Sequence, residues 1–156
     1  AVLVAISAFQ TVTLQESAME PTYSVGQKFF VNRALYKIKS PKRGDVIVFK
    51  TSASDDAALH IRRVIGLPGE TVQIKEGQIY INGNVYEENG AYQEIADGGL
   101  ADSAITLESG EYFVLGDNRN NSEDSRFSDI GNISKKYIVG KIWFTVSPKS
   151  KIGFIR

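Results

Sequence analysis

A dense polar cluster follows the apolar run at residues 112–115 and holds the side chains best suited to chemistry. Within ten residues the chain places two Asp, two Arg and two Ser: Asp117, Arg119, Ser122, Asp124, Ser125 and Arg126. An arginine and a carboxylate can form a planar, bidentate pair, which suits a rigid support for a neighbouring site. Taken alone, the cluster fits either a solvated loop or such a polar network.

Composition excludes several kinds of chemistry. The chain has 156 residues, no Cys and a single His, His60. Disulfides, thiolate metal sites, a cysteine nucleophile and a multi-histidine zinc site are therefore excluded. Lys and Arg together number 18, as do Asp and Glu, so no overall charge favours nucleic acid or anionic lipid. The length allows one domain with a core, or a small core and a lobe.

Three segments resemble motifs of the type I signal peptidases. Residues 17–22 resemble the family's Ser-Met-x-Pro-Thr motif, with Ala18 directly before Met19. Residues 62–70 resemble Lys-Arg-x-x-Gly-x-Pro-Gly-Asp/Glu, with Arg62 in place of the lysine. Residues 116–126 match Gly-Asp-Asn-x-x-x-Ser-x-Asp-Ser-Arg, the most specific of the three. The resemblance covers residues 15–144 and implies this family.

The resemblance places the family's nucleophilic serine at Ala18 and its general-base lysine at Arg62, with Ser122, Asp124 and Arg126 as the support network. The methyl group of Ala18 cannot attack a carbonyl, although its backbone N–H can still meet an oxyanion. A Ser/Lys pair needs a neutral amine that accepts the serine proton. A guanidinium stays protonated and offers no acceptor. We therefore expect the support network to survive where the catalytic pair does not.

Glu16 is a further departure from the family pattern, which has Gly or Ser at this position. A carboxylate here would repel the negative charge that develops on an oxyanion. If Arg62 points where the family lysine does, its charge needs an acidic or carbonyl partner. We predict that Glu16 is that partner and that a structural ion pair replaces the catalytic apparatus.

The resemblance also implies shallow apolar pockets that accept small residues before the cleaved bond. We expect the substrate-binding residues to be Ser17, Met19, Pro21, Ile61 and Val64.

His60 suggests an alternative site. Some distant relatives use histidine in place of the lysine, but directly before the arginine. Here His60 lies two residues ahead of Arg62, which on a strand is the same face at a displacement of ~6–7 Å. The alternatives are a rearranged serine protease site that uses Ser17 and His60, or an ordinary surface or loop histidine.

Short Val-, Ile-, Phe- and Tyr-rich runs alternate with Gly, Asn and Pro, which predicts strands joined by tight turns. The predicted strands are residues 27–32, 44–50, 59–65, 71–75, 78–81, 84–86, 112–115 and 138–144. No long helical stripe is present, and only a short turn is expected near Ser134. We expect a mainly β fold, with a signal-peptidase-like antiparallel sheet or barrel core and a small irregular inserted lobe.

The domain organisation is expected to have three parts. Residues 1–12 are interpreted as the remnant of an N-terminal membrane anchor, because residues 1–9 are almost wholly apolar but too few to span a bilayer. The alternative is a buried strand or helix of the domain. Residues 13–156 form the β domain, and residues 87–109 form its inserted lobe.

Two functional hypotheses remain. The first is an inactive homologue at the outer face of a membrane, held by a single-pass anchor, that binds an extended peptide, an exported precursor or a pilin. The resemblance extends to Gram-positive homologues needed for pilus assembly beside sortases. The second is an active signal peptidase, a serine endopeptidase for exported precursors, represented here by an inactivated mutant. Neither hypothesis involves a cofactor, a metal or nucleic acid.

Overall fold

The computed structural model describes residues 9–155, which form twelve strands, one α-helix and several short 3-10 turns. The strands and the helix are β1 (Phe9–Thr13), β2 (Lys28–Asn32), α1 (Leu35–Ile38), β3 (Val46–Phe49), β4 (His60–Gly66), β5 (Thr71–Lys75), β6 (Gln78–Ile81), β7 (Asn84–Val85), β8 (Ile105–Thr106), β9 (Glu111–Leu115), β10 (Ile133–Ser134), β11 (Ile138–Ser147) and β12 (Gly153–Phe154). The expected mainly β fold is confirmed.

The main sheet is antiparallel and positions the residues of the predicted site. Its strand order is β1-β2-β11-β3-β4-β9-β10, with β12 paired to β11. β4 lies between β3 and β9, with Ile61 opposite Val48 and Arg63 opposite Leu115. The strand that carries Arg62 is therefore central in the sheet, and the polar loop after β9 begins beside it.

Alternating side chains of the main sheet form two cores on its opposite faces. Val48 and Ile61 belong to one core, which also contains Met19. Ile47 and Val64 belong to the other, which also packs against α1. Because side chains alternate along a strand, neighbouring residues of β4 serve different cores.

A second sheet, β7-β6-β5-β8, forms its own core. Tight turns at residues 76–77 and 82–83 connect β5 to β6 and β6 to β7. Glu76 and Gly77 have φ of 51° and 76°, and Asn82 and Gly83 have φ of 51° and 81°. Positive φ at both central residues is typical of the two-residue hairpin turn, and its twist matches that of the paired strands.

Each predicted strand overlaps an observed strand, and the bounds agree within two residues except at the end of β11, which runs three residues further, to Ser147. Residues 1–8 of the predicted anchor lie outside the described residues, but residues 9–12 belong to β1, which pairs with β2. Within the predicted inserted lobe, residues 87–109, β8 pairs with β5, and Ile95 is buried in the core of the second sheet.

Ser134 precedes a 3-10 turn at Lys135–Tyr137, but its side chain makes no capping hydrogen bond. Within residues 9–155 no helix is long and apolar enough to cross a lipid bilayer.

Candidate functional site

Ala18 lies in a buried 3-10 turn, Ser17–Met19, that follows β1. Its relative exposure is 3%, and Met19 is fully buried in the core beneath the turn. The loop after β9 holds this turn with two hydrogen bonds. Asn118 donates its backbone N–H to Ala18 O at 2.8 Å and its side-chain Nδ2 to Ser17 O at 3.1 Å. The nucleophile position and the polar cluster are thus parts of one site.

Gly116 allows this close approach. A Cβ built on Gly116 would lie 2.6 Å from Ala18 O and 2.5 Å from the Cβ of Ser122. Real Cβ atoms do not approach other heavy atoms so closely. The backbone at Gly116, the turn of Ala18 or the loop at Ser122 would have to move.

We expect Gly116→Ala to lower the free energy of unfolding by about 1–3 kcal/mol, because it overpacks a buried contact. Denaturant titration of the variant measures this loss. Ser122→Gly removes the clashing Ser122 side chain. Gly116→Ala should therefore lower the free energy of unfolding by less in a Ser122→Gly background. Equal losses in both backgrounds would show that the contact with Ser122 is not the cause.

Arg62 is the most constrained side chain of the site. It is 1% exposed, and each nitrogen of its guanidinium donates a hydrogen bond. Nε donates to Glu123 O at 2.7 Å, Nη1 donates to Ile61 O at 2.8 Å, and Nη2 donates to Glu16 Oε2 at 2.6 Å. The predicted Glu16–Arg62 ion pair is therefore present. Arg62 links the segment before Ala18 to the loop that carries Ser122.

Glu16 has a second neighbour in His60. The distance from His60 Nδ1 to Glu16 Oε1 is 3.3 Å. Proximity to His60 and to Arg62 lowers the pKa of Glu16 from 4.5 to about 2, although burial opposes the shift. On its other side, the His60 ring stacks on Phe49, with ring centroids 5.6 Å apart. His60 thus belongs to the ion-pair cluster and is not a free surface histidine.

The lowered pKa of Glu16 predicts a pH-dependent stability. A carboxylate with a depressed pKa stabilises the fold above its unfolded pKa, and the stabilisation is lost as the pH falls toward the folded pKa. We expect Glu16→Gln to unfold more easily than the unchanged chain at neutral pH. The difference should close between about pH 4.5 and pH 2.

Denaturant titrations of both proteins from pH 7 to pH 2.5 test this expectation. The matched control is Glu123→Gln, because the Glu123 side chain is exposed and only its backbone oxygen contacts Arg62. A difference between Glu16→Gln and the unchanged chain that persists undiminished at pH 2.5 would contradict the assignment.

The three residues predicted as the support network contact one another. Arg126 and Asp124 form a bidentate pair, with Nε–Oδ1 and Nη2–Oδ2 distances of 2.8 Å, and the exposures of their side chains are 2% and 0%. Ser122 Oγ donates to Asp124 Oδ2 at 2.8 Å and accepts from Arg126 Nη2 at 3.2 Å. Asp124 also accepts the backbone N–H of Gly116 at 3.0 Å. The network therefore fixes the loop around Ser122.

Sequence reasoning missed the two further ion pairs that involve the loop after β9. Arg63 and Asp117 form a bidentate pair at 2.8 and 2.6 Å. Arg119 is 1% exposed and pairs with Glu88 of the second sheet's connecting segment. Side chains alternate along β4, so Arg63 must face away from Arg62. This alternation was a usable sequence signal for the Arg63–Asp117 pair. No local signal links Glu88 to Arg119, which lies 31 residues further along the chain.

The five predicted substrate-binding residues are not brought together. Met19 and Ile61 are buried in one core, whereas Val64 is buried in the core on the other face of the sheet. Val64 therefore lies on the opposite face of the sheet from Met19 and Ile61. Pro21 is exposed and Ser17 is half-buried, beside Ala18.

Two positions of the site differ from a Ser/Lys pair. Ala18 brings a backbone N–H and no hydroxyl, and Arg62 brings donors and no acceptor. Within residues 9–155 no group of three or more His, Cys, Asp and Glu side chains could hold a metal ion.

Comparisons with known proteins agree with the sequence motifs. The sequence model of the family described as signal peptidase, peptidase S26, matches residues 1–147. The chain is 32% identical over 160 residues to signal peptidase I of Bacillus licheniformis, which covers 97% of this chain and 84% of that protein. It is 31% identical over 146 residues to a probable signal peptidase I-2 of Synechocystis, which covers 91% of this chain and 65% of that protein.

A solved structure is also similar. The crystal structure of a signal peptidase I from Enterococcus faecalis matches with a TM-score of 0.51 and 33% sequence identity. The match covers 67% of this chain and 97% of that one. The three motifs meet around Gly116 and Arg62, and fold, sequence and site agree: the chain belongs to the signal peptidase family, peptidase S26.

Proposed function

We propose that this chain is a signal-peptidase-I-like protein without peptidase activity, which binds extended segments of exported proteins at a membrane surface. The observation that carries the proposal is the Glu16–Arg62 ion pair at the general-base position. Ala18 at the nucleophile position supports it. The chain spans about two thirds of the length of the Synechocystis relative. The proposal about activity is therefore argued from the residues of this chain.

Hydrolysis by a serine peptidase requires two groups that this site lacks. A hydroxyl oxygen bonds to the substrate carbonyl carbon while its proton moves to a base, and the base then returns the proton to the leaving amine. Ala18 has no oxygen to form that bond. Arg62 has no lone pair for the proton, and its Nε, Nη1 and Nη2 already donate to fixed acceptors. Neither proton transfer is available.

Glu16 adds an electrostatic obstacle. With a pKa of about 2, its carboxylate is charged at neutral pH. A negative charge two residues before Ala18 opposes an oxyanion at the Ala18 N–H. The Glu16 carboxylate also supplies the opposite charge for the Arg62 guanidinium, which replaces the family's lysine. This fit supports a coordinated replacement rather than a single inactivating mutation.

The edge of β4 supports peptide binding. β3 pairs with residues 60–63 of β4, whereas β9 pairs only from Arg63 onward. Residues 60–62 therefore have a neighbouring strand on one side only. An extended peptide can add to such an edge through main-chain hydrogen bonds. Because Glu16 bonds to Arg62 and the turn that carries Ala18 contacts β4, a peptide added to this edge would pass that turn.

We propose exported precursors as the clients, with pilin subunits and sortase as the specific partners that the family resemblance suggests. The proposed location is the outer face of a membrane, reached through a single-pass anchor. Support for these partners comes from the family alone.

Binding by strand addition is tested with peptides that span the leader junction of an exported precursor. The unmodified peptide is compared with two versions that are N-methylated at alternate residues, each of which removes the donors along one edge. We expect binding without cleavage, loss of binding for one methylated version and near-normal binding for the other. Equal affinities for all three peptides, or cleavage of the unmodified one, would contradict the proposal.

A further inference from the structure

A second cleft lies outside the site described above, between α1, the loop after β3 and the turn before β11. Its volume is ≈ 1310 Å³. Five cationic side chains line it, and no Asp or Glu does: Arg33, Lys37, Lys50, Lys135 and Lys136. We call it the basic cleft. The whole chain has equal numbers of acidic and basic residues, so this positive charge is a local concentration.

The walls of the basic cleft are fixed by hydrogen bonds. Lys50 donates its backbone N–H to Tyr137 O at 3.0 Å, which joins the loop after β3 to the turn before β11. The Asn32 side chain accepts the backbone N–H of Leu35 at 3.0 Å and fixes the start of α1. Segments distant in sequence are thus held together with their like charges on one surface.

Within residues 9–155, none of the five cations has a carboxylate oxygen within 4.0 Å. In this part of the chain, five of the six acidic residues that form ion pairs have an arginine partner, as Asp117 has Arg63 and Asp124 has Arg126. In the cleft, Lys135 Nζ donates to the Ser40 hydroxyl at 3.3 Å, and Lys136 lies over the Tyr137 ring. The like charges repel one another, and a bound anion would relieve that repulsion.

We propose that the basic cleft binds a phosphate-bearing anion. Four of its five cations are lysines, whose compact ammonium groups suit phosphate oxygens, whereas five of the six acidic residues that form ion pairs within residues 9–155 have an arginine partner. The cleft is large enough for more than one phosphate group. A soluble polyphosphate and a phospholipid headgroup present the same chemistry. The proposal is independent of the proposed peptide binding, because no residue of the three motifs lines the cleft.

The experiment compares the unchanged chain with a triple variant, Lys50→Gln, Lys135→Gln, Lys136→Gln. The matched control is Lys28→Gln, Lys75→Gln, Lys151→Gln, which removes the same charge from exposed positions outside the cleft. Titration calorimetry with tripolyphosphate tests the soluble source. Co-sedimentation with phosphatidylglycerol vesicles, against phosphatidylcholine vesicles, tests the headgroup. Tetraglutamate tests an acidic peptide.

We expect the cleft variant to bind at least one phosphate source about tenfold more weakly than the unchanged chain, and the control to stay within about twofold. If the cleft variant loses affinity for tripolyphosphate alone, the ligand is a soluble phosphate compound. If it loses affinity for phosphatidylglycerol vesicles, the ligand is a lipid headgroup. Equal loss in the control, no binding of either phosphate source, or tetraglutamate binding as tightly as tripolyphosphate would overturn the proposal. Circular dichroism of each variant shows that it is folded.

Discussion

The double variant Ala18→Ser, Arg62→Lys is expected to cleave an exported precursor that the unchanged chain leaves intact. The serine restores the nucleophile, and the lysine restores an amine that can take its proton. Burial of position 62 favours the neutral amine, since desolvation lowers the pKa of a lysine. Loss of a protease nucleophile or of its base costs on the order of 10⁶ in turnover, so recovery of even a small part is measurable.

Glu16 determines how much cleavage activity the double variant recovers. If it remains, its carboxylate pairs with Lys at position 62 and keeps the amine protonated. We therefore expect the triple variant with Glu16→Ser to cleave faster than the double variant, by about ten- to a hundredfold. Mass spectrometry of a precursor in detergent measures both rates.

The single variants Ala18→Ser and Arg62→Lys are the controls for this series. Each lacks one member of the pair and should stay near background. A triple variant that folds, binds the peptide and still does not cleave would contradict the view that only the catalytic pair is missing.

Asp124→Asn is expected to cause the largest loss of stability at the site, about 3–5 kcal/mol in the free energy of unfolding. Asp124 and Arg126 are almost fully buried, and the substitution leaves a buried guanidinium without its counter-ion. The backbone of Gly116 also loses a charged acceptor, which loosens the contact with the turn of Ala18. Denaturant titration measures the loss.

Two comparisons make this prediction specific. Asp129→Asn changes an exposed carboxylate and should stay within about 0.5 kcal/mol of the unchanged chain. The double variant Asp124→Asn, Arg126→Gln should recover part of the loss, because no buried charge is left unpaired. A double variant that is as unstable as the sum of its single variants would show that the pair is not energetically coupled.

The strands were predictable because their signals are local. In β4, β5 and β6 the apolar residues are regular and end at Gly, Asn or Pro. The Glu16–Arg62 pair was also predictable, because both residues depart from a motif whose members lie close together. An acid and a base that replace two contacting groups are expected to contact each other.

The remaining features depend on long-range packing. Residues 9–12 of β1 were interpreted as part of an anchor remnant, and only the pairing with β2 shows that they belong to the sheet. Val64 fits an apolar pocket by residue type, but its position on β4 directs it to the opposite core from Ile61. The basic cleft combines Arg33, Lys50 and Lys135, which only the folded chain brings together.

The most direct test of the central claim is the activity of the unchanged chain. It is incubated at equimolar concentration with an exported precursor whose binding has been established, and mass spectrometry follows the precursor over many hours. The structure predicts bound, intact precursor, because Ala18 and Arg62 supply neither a nucleophile nor a base. Specific cleavage at one bond, abolished by Ser17→Ala or by His60→Gln, would contradict this account and assign catalysis to Ser17 and His60.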